Sequence, residues 1–102
     1  MSQRRIELHQ LLCDTLGSRN VYFQPPTGTK IQYPCIIYRL NNADDQHANN
    51  EIYRRLYQYS LTFITKDPDD PKRDAIDNLR YCRFTQFFTS DNLNHYVYTI
   101  YY

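Results

Sequence analysis

The chain has 102 residues, a formal net charge of +1 and 23% charged residues. This length predicts one domain spanning residues 1–102, because two separate hydrophobic cores would each be too small to persist. A near-neutral charge without a basic stripe argues against a dedicated nucleic-acid binder. Only two glycines occur, which disfavours glycine-rich phosphate loops, whereas eleven tyrosines and five phenylalanines predict an aromatic core.

The sequence also bears on membranes and redox chemistry. No run approaches the roughly 18 consecutive apolar residues of a membrane span, and the first residues lead into a polar amphipathic segment rather than the apolar core of a signal peptide. Cys13, Cys35 and Cys82 are scattered and odd in number. They predict buried thiols in a reducing cytoplasm rather than a disulfide or metal scaffold.

The first predicted element is an amphipathic helix from Arg4 to Leu16. Leu8, Leu12 and Leu16 are spaced four apart and form one apolar face. Gly17 follows at the position where a helix commonly ends in the left-handed conformation. The sequence therefore predicts a helix that ends at Gly17.

An extended connection, one strand and a long loop are predicted next. Asn20–Tyr33 is interrupted by Pro25 and Pro26, which cannot donate to a strand ladder, and therefore predicts an extended connection. Cys35–Leu40 is rich in β-forming residues and predicts a buried strand. Asn41–Glu51 is almost entirely polar and predicts a solvent-facing hairpin loop longer than usual, a kind of loop that often carries function.

The second half of the chain predicts two further strands around a short helix. Tyr57, Tyr59, Leu61 and Phe63 alternate with polar residues, which is typical of a strand that residues 53–56 could extend. Asp70 followed by Pro71 predicts the start of a second helix that ends near residue 80.

A C-terminal hairpin is predicted from Cys82–Phe88, a turn at Thr89–Asn92, and a strand at His95–Tyr102. The last strand carries Tyr96 and Tyr98 on one face, and its other face is also unusually apolar. Such a strand either lies in the middle of a sheet or contacts another protein.

These elements predict an α+β fold, with about four strands in a mostly antiparallel sheet, two helices packed on one face, and a long polar hairpin loop. The second face of the sheet would be uncovered. Because the sheet is rich in tyrosine, we expect this uncovered face to be a protein-contact surface.

No enzymatic, cofactor or metal site is predicted. The three histidines lie on different elements and are not spaced as zinc ligands. Asp67, Asp69 and Asp70 surround two prolines and fit helix capping better than acid–base catalysis. The only constellation that could suggest an enzyme is His9 with Cys13, which share one side of a helix, and it has no identifiable third group.

Several blocks of the chain resemble the small tail-completion and tail-terminator proteins of long-tailed bacteriophages. The resemblance is carried by the opening helix and by blocks at residues 21–26, 32–38, 55–62 and 88–96, which read VYFQPP, QYPCIIY, RLYQYSLT and FTSDNLNHY. It covers almost the whole chain, but it is a pattern of short blocks and not a catalytic signature.

The resemblance implies a non-enzymatic virion protein that forms a ring, commonly a hexamer, at the head–tail interface. Such a ring ends the tail tube and joins it to the head connector, so its partners are copies of itself, the tail tube protein and connector proteins. DNA would pass through the lumen without specific binding, and neither a membrane nor a cofactor is involved. The expected location is the tail or neck of the virion, with assembly in the host cytoplasm.

Two groups of residues are predicted to make the contacts of this ring. The polar loop would reach a partner through Asn41, Asn42, Asp44, Asp45, His47, Asn49 and Glu51. Neighbouring subunits would meet through two arginines and the tyrosines of the sheet, namely Arg54, Arg55, Tyr57, Tyr59, Tyr96, Tyr98 and Tyr101. Two alternatives stay open: a head-completion adaptor on the portal side, and a cytoplasmic interaction domain unrelated to phage.

Overall fold

A computed structural model describes residues 3–41 and 57–102 of the chain. The elements in chain order are α1 (Gln3–Leu16), β1 (Val21–Phe23), β2 (Cys35–Leu40), β3 (Gln58–Thr65), α2 (Lys72–Asp77), β4 (Cys82–Ser90) and β5 (Leu93–Tyr101). The five strands form one sheet in the order β1-β2-β3-β5-β4. The predicted α+β class with two helices is confirmed.

The sheet has one strand more than predicted, and it is mixed. Residues 21–23, which were expected to belong to an extended connection, form the edge strand β1 and pair in parallel with β2. All other neighbouring strands are antiparallel. The prediction of about four mostly antiparallel strands was therefore incomplete, because a three-residue strand has too short a pattern to stand out before its partner is known.

The two helices end and begin through local hydrogen bonds. α1 ends at Gly17, which has a φ of 74° and whose N–H donates to the Cys13 carbonyl at 2.8 Å, as the sequence predicted. Before α2, the Asp70 carboxylate accepts hydrogen bonds from the Lys72 backbone N–H at 3.0 Å and from the Thr65 hydroxyl at 2.8 Å. Asp70 therefore holds the backbone just before α2, although the N-cap position itself is Pro71 and has no side-chain cap, and α2 ends at residue 77 and not near residue 80.

The core lies between the helices and one face of the sheet. Leu8, Leu12 and Leu16 of α1 and Ile76 of α2 are buried against this face. The sheet contributes rows of side chains that face one another across the strands, and one such row is Tyr38, Leu61, Tyr98 and Phe84. We call this the helix side of the sheet and the opposite one the open side.

The open side carries smaller and more polar residues. One row across it consists of Ile37, Thr62, Val97 and Gln86, and the next consists of Arg39, Ser60, Thr99 and Arg83. Tyrosines 38, 59, 96 and 98 are buried on the helix side, so they contribute nothing to the uncovered face that was predicted to contact other proteins. Their rings supply the bulk that the few aliphatic residues of this chain cannot.

Candidate functional site

The β4 edge of the sheet combines a free strand with exposed aromatic side chains. Among the described residues β4 pairs with β5 alone, and Phe84, Phe87 and Phe88 are 41%, 50% and 40% exposed. We call these three residues the aromatic edge. Edge strands are usually protected by charges, prolines or a covering element, yet Arg83 is the single charged residue of β4. An apolar free edge of this kind is suited to contact another chain.

The aromatic edge has rings on both sides of the sheet, and a β-bulge puts two of the three on the helix side. The register shifts between Phe84 and Gln86, and the Thr85 hydroxyl donates to the Val97 carbonyl at 2.9 Å beside the shift. As a result Phe84 and Phe87 both lie on the helix side, although they are three residues apart, while Phe88 lies on the open side. A strand added at this edge would be flanked by phenyl rings from both sides.

Each ring of the aromatic edge rests on an aromatic residue of β5. Phe87 packs against Tyr96 with ring centroids 5.0 Å apart, and Phe84 meets Tyr98 edge-on at 5.5 Å. On the open side, Phe88 stacks on His95 at 4.6 Å with an angle of 14° between the planes. Because these contacts fix the rings in advance, little side-chain entropy would remain to be lost when a partner binds.

Arg73 of α2 supports the same edge from the helix side. Its guanidinium lies 5.2 Å from the Phe84 ring centroid and 4.7 Å from that of Tyr96. It also lies 3.9 Å from the Asp77 carboxylate one turn further along the helix. Arg73 thereby connects the short helix α2 to strands β4 and β5 through cation–π contacts.

A shallow groove of about 360 Å³ adjoins the aromatic edge on the open side. It contains Phe88 and Gln86 of β4 and continues across the sheet, where it is lined by Ile37, Arg39, Ser60, Thr62 and Val97. No acidic side chain is among them. The groove extends the apolar surface of β4 inward and offers no converging pair of groups for acid–base chemistry.

Three of the tyrosines predicted at a subunit contact are unavailable for one. Tyr59, Tyr96 and Tyr98 are only 3%, 4% and 1% exposed, because α1 and α2 cover that side of the sheet. This part of the interface prediction is corrected. Tyr57 is exposed and Tyr101 is half-buried on the open side; Arg54 and Arg55 lie outside the described residues.

The predicted partner loop falls almost entirely outside the described residues. Asn41 is described, and its backbone N–H donates to the Gln58 carbonyl at 3.0 Å, where β2 and β3 adjoin. Asn42, Asp44, Asp45, His47, Asn49 and Glu51 belong to the part of the chain that is not described, so their role stays a prediction.

The His9–Cys13 pair is not arranged as a base and a nucleophile. The His9 ring directs Nδ1 to the Tyr38 hydroxyl at 2.8 Å, and burial, with the nearby Arg5 charge, lowers the pKa of His9. Burial, with the nearby Asp14 charge, raises the pKa of the Cys13 thiol, which opposes formation of the reactive thiolate. Within residues 3–41 and 57–102 there is also no group of three or more histidine, cysteine or acidic residues placed to hold a metal.

The aromatic edge was missed as a site by the sequence analysis. The sequence placed Phe84, Phe87 and Phe88 in the first strand of the C-terminal hairpin but did not identify that strand as an edge. A usable signal was present: three phenylalanines within five positions cannot all lie on one side of a regular strand, so at least one must face away from the core.

Comparisons with known proteins add no relative to this description. No protein-family model, curated protein or solved structure matches the chain. In the described part of the chain, neither helix has the length and apolar character needed to cross a membrane.

Proposed function

We propose that this protein is a non-enzymatic structural subunit of a long-tailed phage virion, which forms a ring at the head–tail interface, ends the tail tube and joins it to the head connector. The observation that carries the proposal is the aromatic edge on a free strand. Burial of apolar area stabilises a contact by about 25 cal/mol per Å², so three half-exposed phenyl rings favour association with another chain. The resemblance of the sequence to tail-completion proteins indicates which assembly this would be.

In the proposed ring, each copy offers its β4 edge to a different surface of the next copy. Strand addition supplies backbone hydrogen bonds along the edge, and the rings on both sides supply apolar burial. When the contact joins two different surfaces, each added copy is rotated by the same angle. The chain of copies closes into a ring when a whole number of these rotations makes a full turn. Six copies are the number that the family resemblance implies, with DNA passing through the lumen without specific contacts.

The chemistry of the remaining surface favours assembly over catalysis. The groove on the open side is shallow and lacks acidic residues. Burial raises the pKa of Cys35 to about 12 and, with the nearby Asp77 charge, that of Cys82 to about 12. A thiol enzyme needs the opposite shift. The pKa of the Cys13 thiol is also raised by burial. Iodoacetamide near neutral pH should therefore label Cys13 slowly, and rapid labelling would support the alternative of a thiol enzyme.

The proposal is tested by deleting the gene from the phage or prophage that carries it and imaging the lysate by electron microscopy. Tails of abnormal length that never join heads would support the proposed terminator. Full heads beside unjoined tails of normal length would instead assign the protein to the portal side as a head-completion adaptor. Normal infectious virions would reject both roles.

Complementation in the same deletion strain tests the aromatic edge. Wild-type protein should restore joining, whereas a Phe87→Glu variant should not, because it places a charge on the most exposed ring position of β4. Ile6→Glu is the matched control: Ile6 is 44% exposed but lies on α1, away from β4. Equal complementation by both variants would contradict a role for the aromatic edge.

A further inference from the structure

We infer that β4 also pairs with β4 of a second copy, antiparallel and about a twofold axis at Phe87, and that this dimer is the form of the free protein. The inference rests on the charge pattern of β4 and on the exposed, uncharged centre of that strand, and only the role of the dimer before assembly rests on the proposed function.

The charges at the two ends of β4 are complementary in an antiparallel pair. Arg83 lies four residues before Phe87 and Asp91 lies four residues after it. Both are exposed, and neither forms a salt bridge with another described residue. Antiparallel pairing about Phe87 brings each Arg83 to the Asp91 end of the second copy, whereas parallel pairing would set like charges side by side. Opposite charges across neighbouring strands are stabilising and like charges are destabilising.

The residues between these charges are also compatible with self-pairing. About an axis at Phe87, Gln86 would lie opposite Phe88 of the second copy, and Phe87 opposite its own copy. No residue from Phe84 to Ser90 is charged, so identical strands meet without repulsion. The two Phe87 rings would cover each other on the helix side, which removes from water the most exposed phenyl ring of the described residues.

Backbone geometry makes the hydrogen-bonding groups at this axis available. Asp91 and Asn92 both have positive φ, 53° and 63°, as in the two-residue turns whose flanking residues form a hydrogen-bonded pair. That pair is Ser90 with Leu93. Alternation along the strand then directs the N–H and C=O groups of Phe87 and Thr89 away from β5 and toward a new strand. Because of the bulge, regular pairing about Phe87 covers residues 86–88 of each copy, and the long Arg83 side chain reaches past the bulge toward the Asp91 end of the second copy.

The dimer and the proposed ring use the same edge and exclude each other. A twofold contact closes on itself and cannot continue around a ring, and one edge accepts one strand at a time. The dimer therefore shields the aromatic edge in the free protein, and a copy must leave it before joining the virion.

Sedimentation equilibrium of the full-length protein tests the charge pairing. We expect a dimer for the wild type, and roughly tenfold weaker dimerisation for Arg83→Glu and for Asp91→Lys, because each change sets like charges together at both ends. The double variant, with Arg83→Glu and Asp91→Lys together, should bind more tightly than either single variant and recover most of the wild-type affinity. Asp91→Lys strains the turn, but this strain is the same in the single and the double variant. A monomer at 200 µM, or a dimer insensitive to these changes, would overturn the inference.

Disulfide trapping tests the axis. In a hydrogen-bonded antiparallel pair the two Cα atoms lie about 5.5 Å apart, within the range that a disulfide spans. Phe87→Cys should therefore form a covalent dimer under mild oxidation, whereas Ile6→Cys should not. Cross-linking at both positions, or at neither, would contradict the predicted axis.

The dimer and the proposed function can fail separately. If joining requires the aromatic edge but the free protein is a monomer, the dimer is wrong and the proposed function stands. If the dimer forms but deletion of the gene leaves virions normal, the function is wrong and the dimer stands.

Discussion

The two edges of the sheet are built differently. β1 has three residues and is followed by Gln24, with a φ of 46°, and by two prolines that cannot donate hydrogen bonds. β4 has nine residues, with its phenylalanines exposed. Short length and prolines are ordinary means by which proteins protect a strand edge. The β1 edge has this protection and the β4 edge does not, which is why the proposals place the intermolecular contact at β4.

The lengths of the two helices explain this difference. At about 1.5 Å per residue the fourteen residues of α1 extend for about 21 Å, whereas the six of α2 extend for about 9 Å. At about 3.3 Å per residue β1 is about 10 Å long and β4 about 30 Å. α1 is therefore long enough to cover β1, and α2 can cover only about a third of β4. Phe84 and Phe87 are exposed on the helix side because the helix beside them ends early, whereas Phe88 is exposed on the open side, which neither helix covers.

Both edges nevertheless use the same contact between a helix and a strand. The Arg5 guanidinium of α1 lies 4.6 Å from the Phe23 ring centroid, as that of Arg73 lies 5.2 Å from Phe84. Phe23 is half-buried, whereas Phe84 is exposed. An arginine over the edge phenylalanine thus stabilises the fold at either end of the sheet, and only at β4 is a large part of the ring free for a partner.

The largest expected effect separates assembly from stability. Phe87→Glu should weaken association at β4 at least a hundredfold, because it introduces a charge at the centre of the contact. The free energy of unfolding should change by less than about 1 kcal/mol, since the ring is already half in water. Gln24→Glu is the matched change at the β1 edge and should alter neither quantity. Light scattering and urea denaturation measure both. Loss of association in the β1 variant would contradict the contrast between the edges.

The next effect concerns the supporting arginines. Arg73→Ala should reduce the free energy of unfolding by about 1–2 kcal/mol, because Arg73 contacts two rings and each cation–π contact contributes about 0.5–1 kcal/mol. Arg5→Ala should also destabilise the fold, because it removes a cation–π contact with Phe23 and a hydrogen bond to the Tyr38 hydroxyl at 3.4 Å. Arg73→Lys, which keeps the charge, should restore part of the loss at Arg73. A loss below about 0.5 kcal/mol for Arg73→Ala in urea denaturation would show that its two ring contacts contribute nothing.

Local patterns predicted most of the elements but not their partners. The strand Cys35–Leu40 has the predicted bounds, and the first helix begins one residue earlier than predicted, because periodicity and end signals act within a few residues. β1 was missed because Val21–Phe23 is a strand only through its pairing with β2. The two prolines that follow it made the whole segment look like an extended connection. Strand order and strand edges are likewise properties of the whole sheet.

The sequence also could not predict which face of the sheet the two helices cover. The last strand is apolar on both faces, so its alternation fits a tyrosine-rich open face as well as a tyrosine-rich core. The side on which the two helices lie decides between them, and this buries Tyr96 and Tyr98. The exposed aromatic residues of the C-terminal hairpin are instead the phenylalanines of β4, two on the helix side beyond the end of α2 and one on the open side.

A smaller effect distinguishes the buried tyrosines beneath the two edges. Tyr38→Phe should cost about 1 kcal/mol, because it removes the hydroxyl that is hydrogen-bonded to His9 at 2.8 Å. Tyr98→Phe, on the β4 side, should cost less, because the Tyr98 hydroxyl makes no hydrogen bond of good geometry within the described residues and only faces the Arg73 and Asp77 side chains. Thermal unfolding of the two variants measures the difference. A larger loss of stability for Tyr98→Phe than for Tyr38→Phe would show that the Tyr98 hydroxyl is the better bonded of the two.

The smallest expected effect is a pH dependence at the β1 end. Burial, with the Arg5 charge, lowers the pKa of His9 below 6.5 in the folded state, so the unfolded chain binds a proton more readily. Stability from this residue is then complete above pH 6.5 and is lost as the pH falls through the folded-state pKa. His9→Gln should flatten this part of the stability profile, and Arg5→Ala should only weaken it, since burial is the larger cause. Unfolding by urea between pH 5 and 7.5 measures the slopes. The pKa shift of His9 originates beneath β1, so Phe87→Glu should leave the pH dependence of the unfolding free energy unchanged. A change in that pH dependence in the Phe87→Glu variant would show that the two ends of the sheet are coupled.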